Sequence, residues 1–160
     1  MQPQGFRRAV VLGTFVALFA IHPSAQGTDP IVGSWNLNVA KSTFSPGPAP
    51  KSEARTYVAA GQEVKATSKG VDSDGKPTSA EWTIVYDSKD RPMTGDPDAD
   101  SLSLKRIDAH HAEFTEKKAG KVVITGTRVI SPDDKVLTIT SKGTNAKGQS
   151  INNVLVFERK

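Results

Sequence analysis

One stretch near the start of the chain, Ile31-Val32-Gly33-Ser34-Trp35-Asn36-Leu37-Asn38-Val39, constrains the fold more than any other. Apolar side chains fall at every second position, Ile31, Trp35, Leu37 and Val39, with Gly33 in the remaining slot. Ser34, Asn36 and Asn38 alternate with them. Successive side chains of an extended chain point to opposite faces, so this is a strand with one buried and one wet face. Trp35 lies on the inward face, and Gly33 leaves room beside it for a close backbone approach.

The rest of the chain keeps this period and shows no convincing helical one. Lys41 to Pro50 carries three prolines and a glycine in its last five residues, which forbids a helix and predicts a stiff extended crossing. Strands follow over 53–60, with Arg55 and Tyr57 on one face, over 63–69, and over 80–86, where Ala80, Trp82, Ile84 and Tyr86 share a face. A short piece around Met93 leads to an acidic loop, Gly95 to Asp100. Leu102, Leu104 and Arg106 alternate in the next strand, and further strands are expected over 111–117, 122–130, 136–141 and 151–159. Gly61-Gln62, Asp72-Ser73-Asp74-Gly75, Asp108-Ala109, Ala119-Gly120 and Pro132-Asp133-Asp134 supply the turns.

About nine strands with short sequential links predict an all-β domain. A meander of this length hides its edges by closing, so the expected architecture is a single antiparallel up-and-down β-barrel. Its inward face is expected to mix aromatic and basic residues: Arg55, Tyr57, Trp82, Tyr86, Arg106 and Arg128 are the candidate ligand-binding set. The competing reading has the aromatics filling a small solid barrel and the arginines on its outer face or at its rim.

Residues 1–26 are expected to be a signal peptide rather than part of the fold. Arg7 and Arg8 precede an apolar run from Ala9 to Ile21, and a short polar close follows. The run is 13 residues, short of the roughly 20 that span a bilayer, so no stable membrane span is expected after cleavage. Residues 27–160 then form one domain, secreted or periplasmic. It contains no cysteine, which excludes disulfides, thiolate metal sites and cysteine nucleophiles. The formal charge of +4 falls to +2 without Arg7 and Arg8, with 19 basic against 17 acidic residues. With the charges interspersed, no nucleic-acid partner is expected.

Gly33-Ser34-Trp35 resembles the G-x-W motif of the lipocalins and the wider calycin group. Gly33-x-Trp35-x-Leu37 followed by Phe44 also resembles the opening of the fatty-acid-binding proteins. Lys121 to Gly143 is similar to their last hairpins, and Val156-Phe157-Glu158-Arg159 to their closing strand. The resemblance implies a closed antiparallel barrel around an apolar cavity, with Arg159 set against Trp35 as a structural cation–π partner. Two departures matter. The proline crossing stands where fatty-acid-binding proteins insert a helix pair. The arginine and tyrosine that hold a fatty-acid carboxylate there are matched by Leu155 and Phe157, which can do neither job.

Other chemistry is weakly signalled. Asp96-x-Asp98-x-Asp100 has the oxygen spacing of a calcium loop but lacks the following glycine, and Ile107 stands at its twelfth position. It reads as an acidic surface loop, and no metal site is assigned. His110-His111 point to opposite faces if extended and cannot chelate one ion together. A haem barrel of the nitrobindin kind would need a buried histidine and a glycine-rich opening, so no cofactor is expected. No catalytic residues stand out: G-x-S-x-G is missing and no nucleophile, base and orienter are marked. The expectation is a monomeric, non-enzymatic protein binding a small hydrophobic or amphipathic molecule. The alternative is a solid barrel acting as an envelope or protein-interaction module.

Overall fold

In the computed structural model, which describes residues 28–160, the opening stretch forms strand β1 (Gly33–Leu37). The strand stops two residues short of the alternation. Asn38 turns the chain into a single 3-10 turn, Val39–Lys41, its side-chain oxygen accepting from the Lys41 N–H at 3.1 Å. Short polar side chains that offer the backbone a local partner interrupt regular structure in this way. Val39 therefore leaves the strand. The segment expected to be a signal peptide lies outside the described residues.

Nine further strands follow: β2 (Ser52–Ala60), β3 (Glu63–Val71), β4 (Pro77–Ile84), β5 (Arg91–Thr94), β6 (Ser101–Arg106), β7 (His111–Lys118), β8 (Lys121–Ile130), β9 (Val136–Thr144) and β10 (Ser150–Arg159). Each pairs antiparallel with the next, and β1 pairs with both β2 and β10, so the sheet closes. Closure removes every free edge. The fold is the expected all-β up-and-down barrel, with ten strands where the alternation resolves about nine. The short piece around Met93 is β5, placing Met93 opposite Trp82 and Arg91 opposite Leu102.

Up-and-down connectivity sends alternate turns to opposite ends. The proline crossing, the turns at 72–76, 119–120 and 145–149, and the acidic loop 95–100 gather at one end, the mouth. The N-terminal lead 28–32, the C-terminus and the remaining turns gather at the other. That second end is packed shut. Ile31, Trp35, Ile130, Leu137 and Phe157 are all 0–1 % exposed there.

Trp35 Nε1 donates to the Ile31 carbonyl at 2.8 Å, so the indole is buried without an orphaned donor. The Arg159 guanidinium lies 4.2 Å from the Trp35 ring centroid, the pairing that the resemblance implied. It also donates to the carbonyls of Val32 at 2.8 Å and Pro30 at 2.6 Å. Gly33 is what lets it in. Its φ is +137°, and a Cβ at this position would overlap Arg159 Nη1.

Candidate functional site

Toward the mouth the inward face changes character. A cavity of about 310 Å³ opens between the strands. Its middle is apolar, lined by Trp82, Ile84, Leu102, Leu104, Phe114 and Ile139. Tyr57 meets Trp82 edge-on, the ring centroids 6.1 Å apart at 80°.

The wall at β2 carries a half-buried ion pair. Arg55 Nε donates to Glu53 Oε1 at 2.6 Å, and Ser68 Oγ donates to the same oxygen at 2.8 Å. Burial pushes the Glu53 carboxyl up, but the charge of Arg55 and the hydrogen bonds from Arg55 and Ser68 outweigh it and hold the group below its ordinary value. The Arg55 guanidinium also lies 5.5 Å from the Trp82 centroid and 4.7 Å from that of Phe157. Those contacts fix its plane across the cavity wall.

At the floor stands Arg128, on β8 between Ala112 and Ile139 of the neighbouring strands. It is 5 % exposed. Its Nη2 donates to the Tyr86 hydroxyl at 2.6 Å, while Nε and Nη1 meet no acceptor among the described residues. Tyr86 in turn donates to Asp29 Oδ2 at 2.6 Å, and Arg106 Nη2 donates to the same oxygen. The Arg106 guanidinium stacks 3.8 Å from the Tyr86 centroid.

Four of the six candidate residues therefore line the cavity together: Arg55, Tyr57, Trp82 and Arg128. Tyr86 and Arg106 do not. β4 ends at Ile84, so the strand alternation no longer carries Tyr86 inward, and Arg106 is the last residue of β6. Both lie behind Arg128 and hold it in place through Tyr86 and Asp29. Leu155 lines the cavity, and Phe157 is buried beneath Arg55. The positions corresponding to a fatty-acid carboxylate anchor are thus apolar, while Arg128 offers donors from another strand.

Glu116, Asp96 and Asp98 also line the cavity, at the mouth. Burial, with the charges of Asp96 and Asp98 beside it, pushes the Glu116 carboxyl up to about 7 against the pull of Arg55. Asp96 is likewise raised, first by burial and then by Asp98, against backbone N–H donors of Asp98 and Ala99. The acidic loop is not simply a surface loop, since it folds over the mouth and buries Ala99. Asp98 Oδ1 accepts from Ala146 N–H at 2.7 Å and Asp100 Oδ2 from Ala119 N–H at 2.8 Å, so these carboxylates brace neighbouring turns. Among the described residues no three acidic or histidine side chains converge on a metal position. His110 Nε2 lies 3.1 Å from Asp134 Oδ1, and His111 Nδ1 lies 2.8 Å from Asp108. His110 lies in the turn before β7 and His111 is the first residue of that strand, both at the closed end and away from the cavity.

No protein-family model matches the chain, and no curated protein does. Solved structures do. The crystal structure of Rv2717c from M. tuberculosis is 15% identical with a TM-score of 0.54, over 88% of this chain and 99% of that one. A zebrafish ileal bile acid-binding protein complexed with cholic acid is 12% identical with a TM-score of 0.46, over 82% and 99%. A redesigned barrel, mFAP1, bound to DFHBI is 15% identical with a TM-score of 0.43, over 81% and 95%. The likeness is one of barrel fold. Identities this low speak to the fold alone.

Proposed function

We propose that this chain is a non-enzymatic binding protein that takes a small hydrophobic or amphipathic molecule into its barrel and orients it on Arg128. Affinity comes from burying the ligand's apolar body against Trp82, Leu102, Leu104 and Phe114. The observation that carries this reading is Arg128 itself, 5 % exposed with two guanidinium nitrogens lacking an acceptor. A buried charge without a counter-charge costs on the order of several kcal/mol. An anionic group on the ligand would lessen that cost, and Arg128 lines the cavity that would receive it.

The cavity, about 310 Å³, falls at the lower end of ordinary ligand pockets, about 300–1,000 Å³. A solid barrel serving as an interaction module would need neither such a space nor a charge at its floor. Binding without covalent chemistry fits a cavity wall that neither His110 nor His111 reaches. The same reading includes a monomer that is secreted or periplasmic, supported by Arg7, Arg8 and the apolar run after them.

Native mass spectrometry of the protein from its own cells, beside a denatured control, tests the proposal. A discrete excess mass that vanishes on denaturation and is lost in Arg128→Met is expected. A bare mass, with no melting shift across a panel of amphipathic carboxylates, amines and neutral lipids, would overturn it.

A further inference from the structure

The cavity has a second pole. Glu116 lines the same space as Arg128 but near its opening, and it has neither a hydrogen-bond nor an ion-pair partner among the described residues. Asp96 and Asp98 reach the cavity beside it from the loop after β5. Arg55 is the cation facing this group, and it is already committed to Glu53. The mouth therefore keeps three carboxylates outside any ion pair among the described residues. The neighbours of Glu116 on β6 and β8 are Leu102 and Ile124, which add no charge.

Register fixes how far apart the poles are. Arg128 lies opposite Ala112 on β7, and Glu116 is on that same strand, four positions nearer the mouth. Strand rise sets those two levels about 13 Å apart. Between them the lining is aromatic and aliphatic.

Resting on the binding reading above, we infer that the ligand is bipolar: an anionic group seated on Arg128, an apolar body across the middle, and a protonated amine held at the mouth by Glu116, Asp96 and Asp98. An amine meets two needs there. It supplies a donor to the Glu116 carboxyl, which has none among the described residues, and it offsets the repulsion among three neighbouring carboxylates, two of which already accept from backbone N–H groups. A second anion at the outer end would instead face those carboxylates directly. The raised Glu116 carboxyl, at about 7, makes the amine's advantage larger in mildly alkaline than in acidic solution, because only the ionised acid can pair with it.

The test uses three probes of one length: dodecanoate, dodecylamine and ω-aminododecanoate, titrated calorimetrically into the full protein at pH 8 and pH 5.5. In water an added ammonium lowers the tendency to enter an apolar cavity, so ω-aminododecanoate should be the weaker ligand if nothing at the mouth receives it. The expected result is the reverse, about tenfold tighter than dodecanoate at pH 8, with the advantage shrinking at pH 5.5 and in Glu116→Gln. Arg128→Met should weaken both carboxylates and leave dodecylamine little changed. If ω-aminododecanoate binds no tighter than dodecanoate, or keeps its full advantage in a folded Glu116→Gln protein, the bipolar inference falls while binding on Arg128 stands. If none of the three probes binds, the binding reading falls with it. Circular dichroism on each variant establishes that it is folded before it is titrated.

Discussion

The two ends of this barrel are built from the same strands but treat buried polar atoms in opposite ways. At the closed end Arg159 meets the Trp35 ring and donates to main-chain carbonyls, and the Trp35 indole has its own carbonyl partner. In the cavity Arg128 keeps two buried nitrogens without acceptors, while Glu116, half-buried at the open mouth, has no partner among the described residues. Buried polar groups are normally satisfied, because each unpaired one costs about 1–3 kcal/mol. The satisfied end locks the fold. The unsatisfied one carries a free-energy debt that a ligand of matching polarity could relieve.

The sharpest way to break this comparison is at its rigid side. Trp35→Ala should remove the largest buried side chain at the closed end and strand Arg159 over a void, costing about 3–5 kcal/mol in urea unfolding. A loss below about 1 kcal/mol would mean that the closed end is not what holds the barrel together. Arg128→Met should act in the other direction. Replacing an unpaired buried cation with an apolar side chain of similar reach should raise stability by about 1–3 kcal/mol, while weakening anionic ligands. A simultaneous loss of both stability and binding would show that Arg128 is a structural group held through Tyr86.

The third effect depends on pH. The Glu116 carboxyl is raised from its ordinary 4.5 to about 7, so the folded protein binds this proton more tightly than the unfolded chain does. The stabilisation from that proton is complete below about pH 4.5 and is lost as pH rises through about 7. Glu116→Gln cannot ionise, so its stability relative to wild type should grow across that window. The gain should level off on the order of 2 kcal/mol, reduced below the full shift by solvent at the open mouth. Comparing the two proteins cancels Glu53, which titrates in the opposite sense, while Asp96, whose charge acts on Glu116, is part of the difference being read. Parallel pH profiles would refute the assignment of the buried acid to Glu116.

How much of this could be read from the sequence follows the same division. The closed end was legible because it obeys simple alternation: Trp35 falls inward by period, and Gly33 marks the close approach that turns out to admit the Arg159 side chain. Arg128 follows from the same rule, sharing its face with Ile124 and Ile130 along β8. Tyr86 did not, because the alternation of β4 gives no sign that the strand stops at Ile84. Glu116 was hidden differently. Ala112, Phe114 and Glu116 do alternate along β7, but a glutamate ending such a series looks like a turn outward to water. Asp96 and Asp98 lie in a loop, where no period applies and only the tertiary fold brings the carboxylates over the mouth.

The smallest expected effect tests whether the mouth is held by local ties rather than by the core. Asp98 Oδ1 accepts from Ala146 N–H at 2.7 Å, joining the acidic loop to the turn between β9 and β10. Asp98→Ala removes that acceptor and should cost about 1 kcal/mol. Asp98→Asn keeps an acceptor while removing a like charge beside Asp96 and Glu116, and should cost close to nothing. Amide hydrogen exchange separates the local from the global response. Protection of Ala146 should fall in Asp98→Ala, while Val32, whose N–H donates to the Asp29 carbonyl at 2.9 Å at the other end, should exchange as before. Equal acceleration at both amides would mean that the ends unfold as one unit. The mouth would then be no easier to open than the packed end beneath it, and a ligand could enter only by loosening the whole barrel.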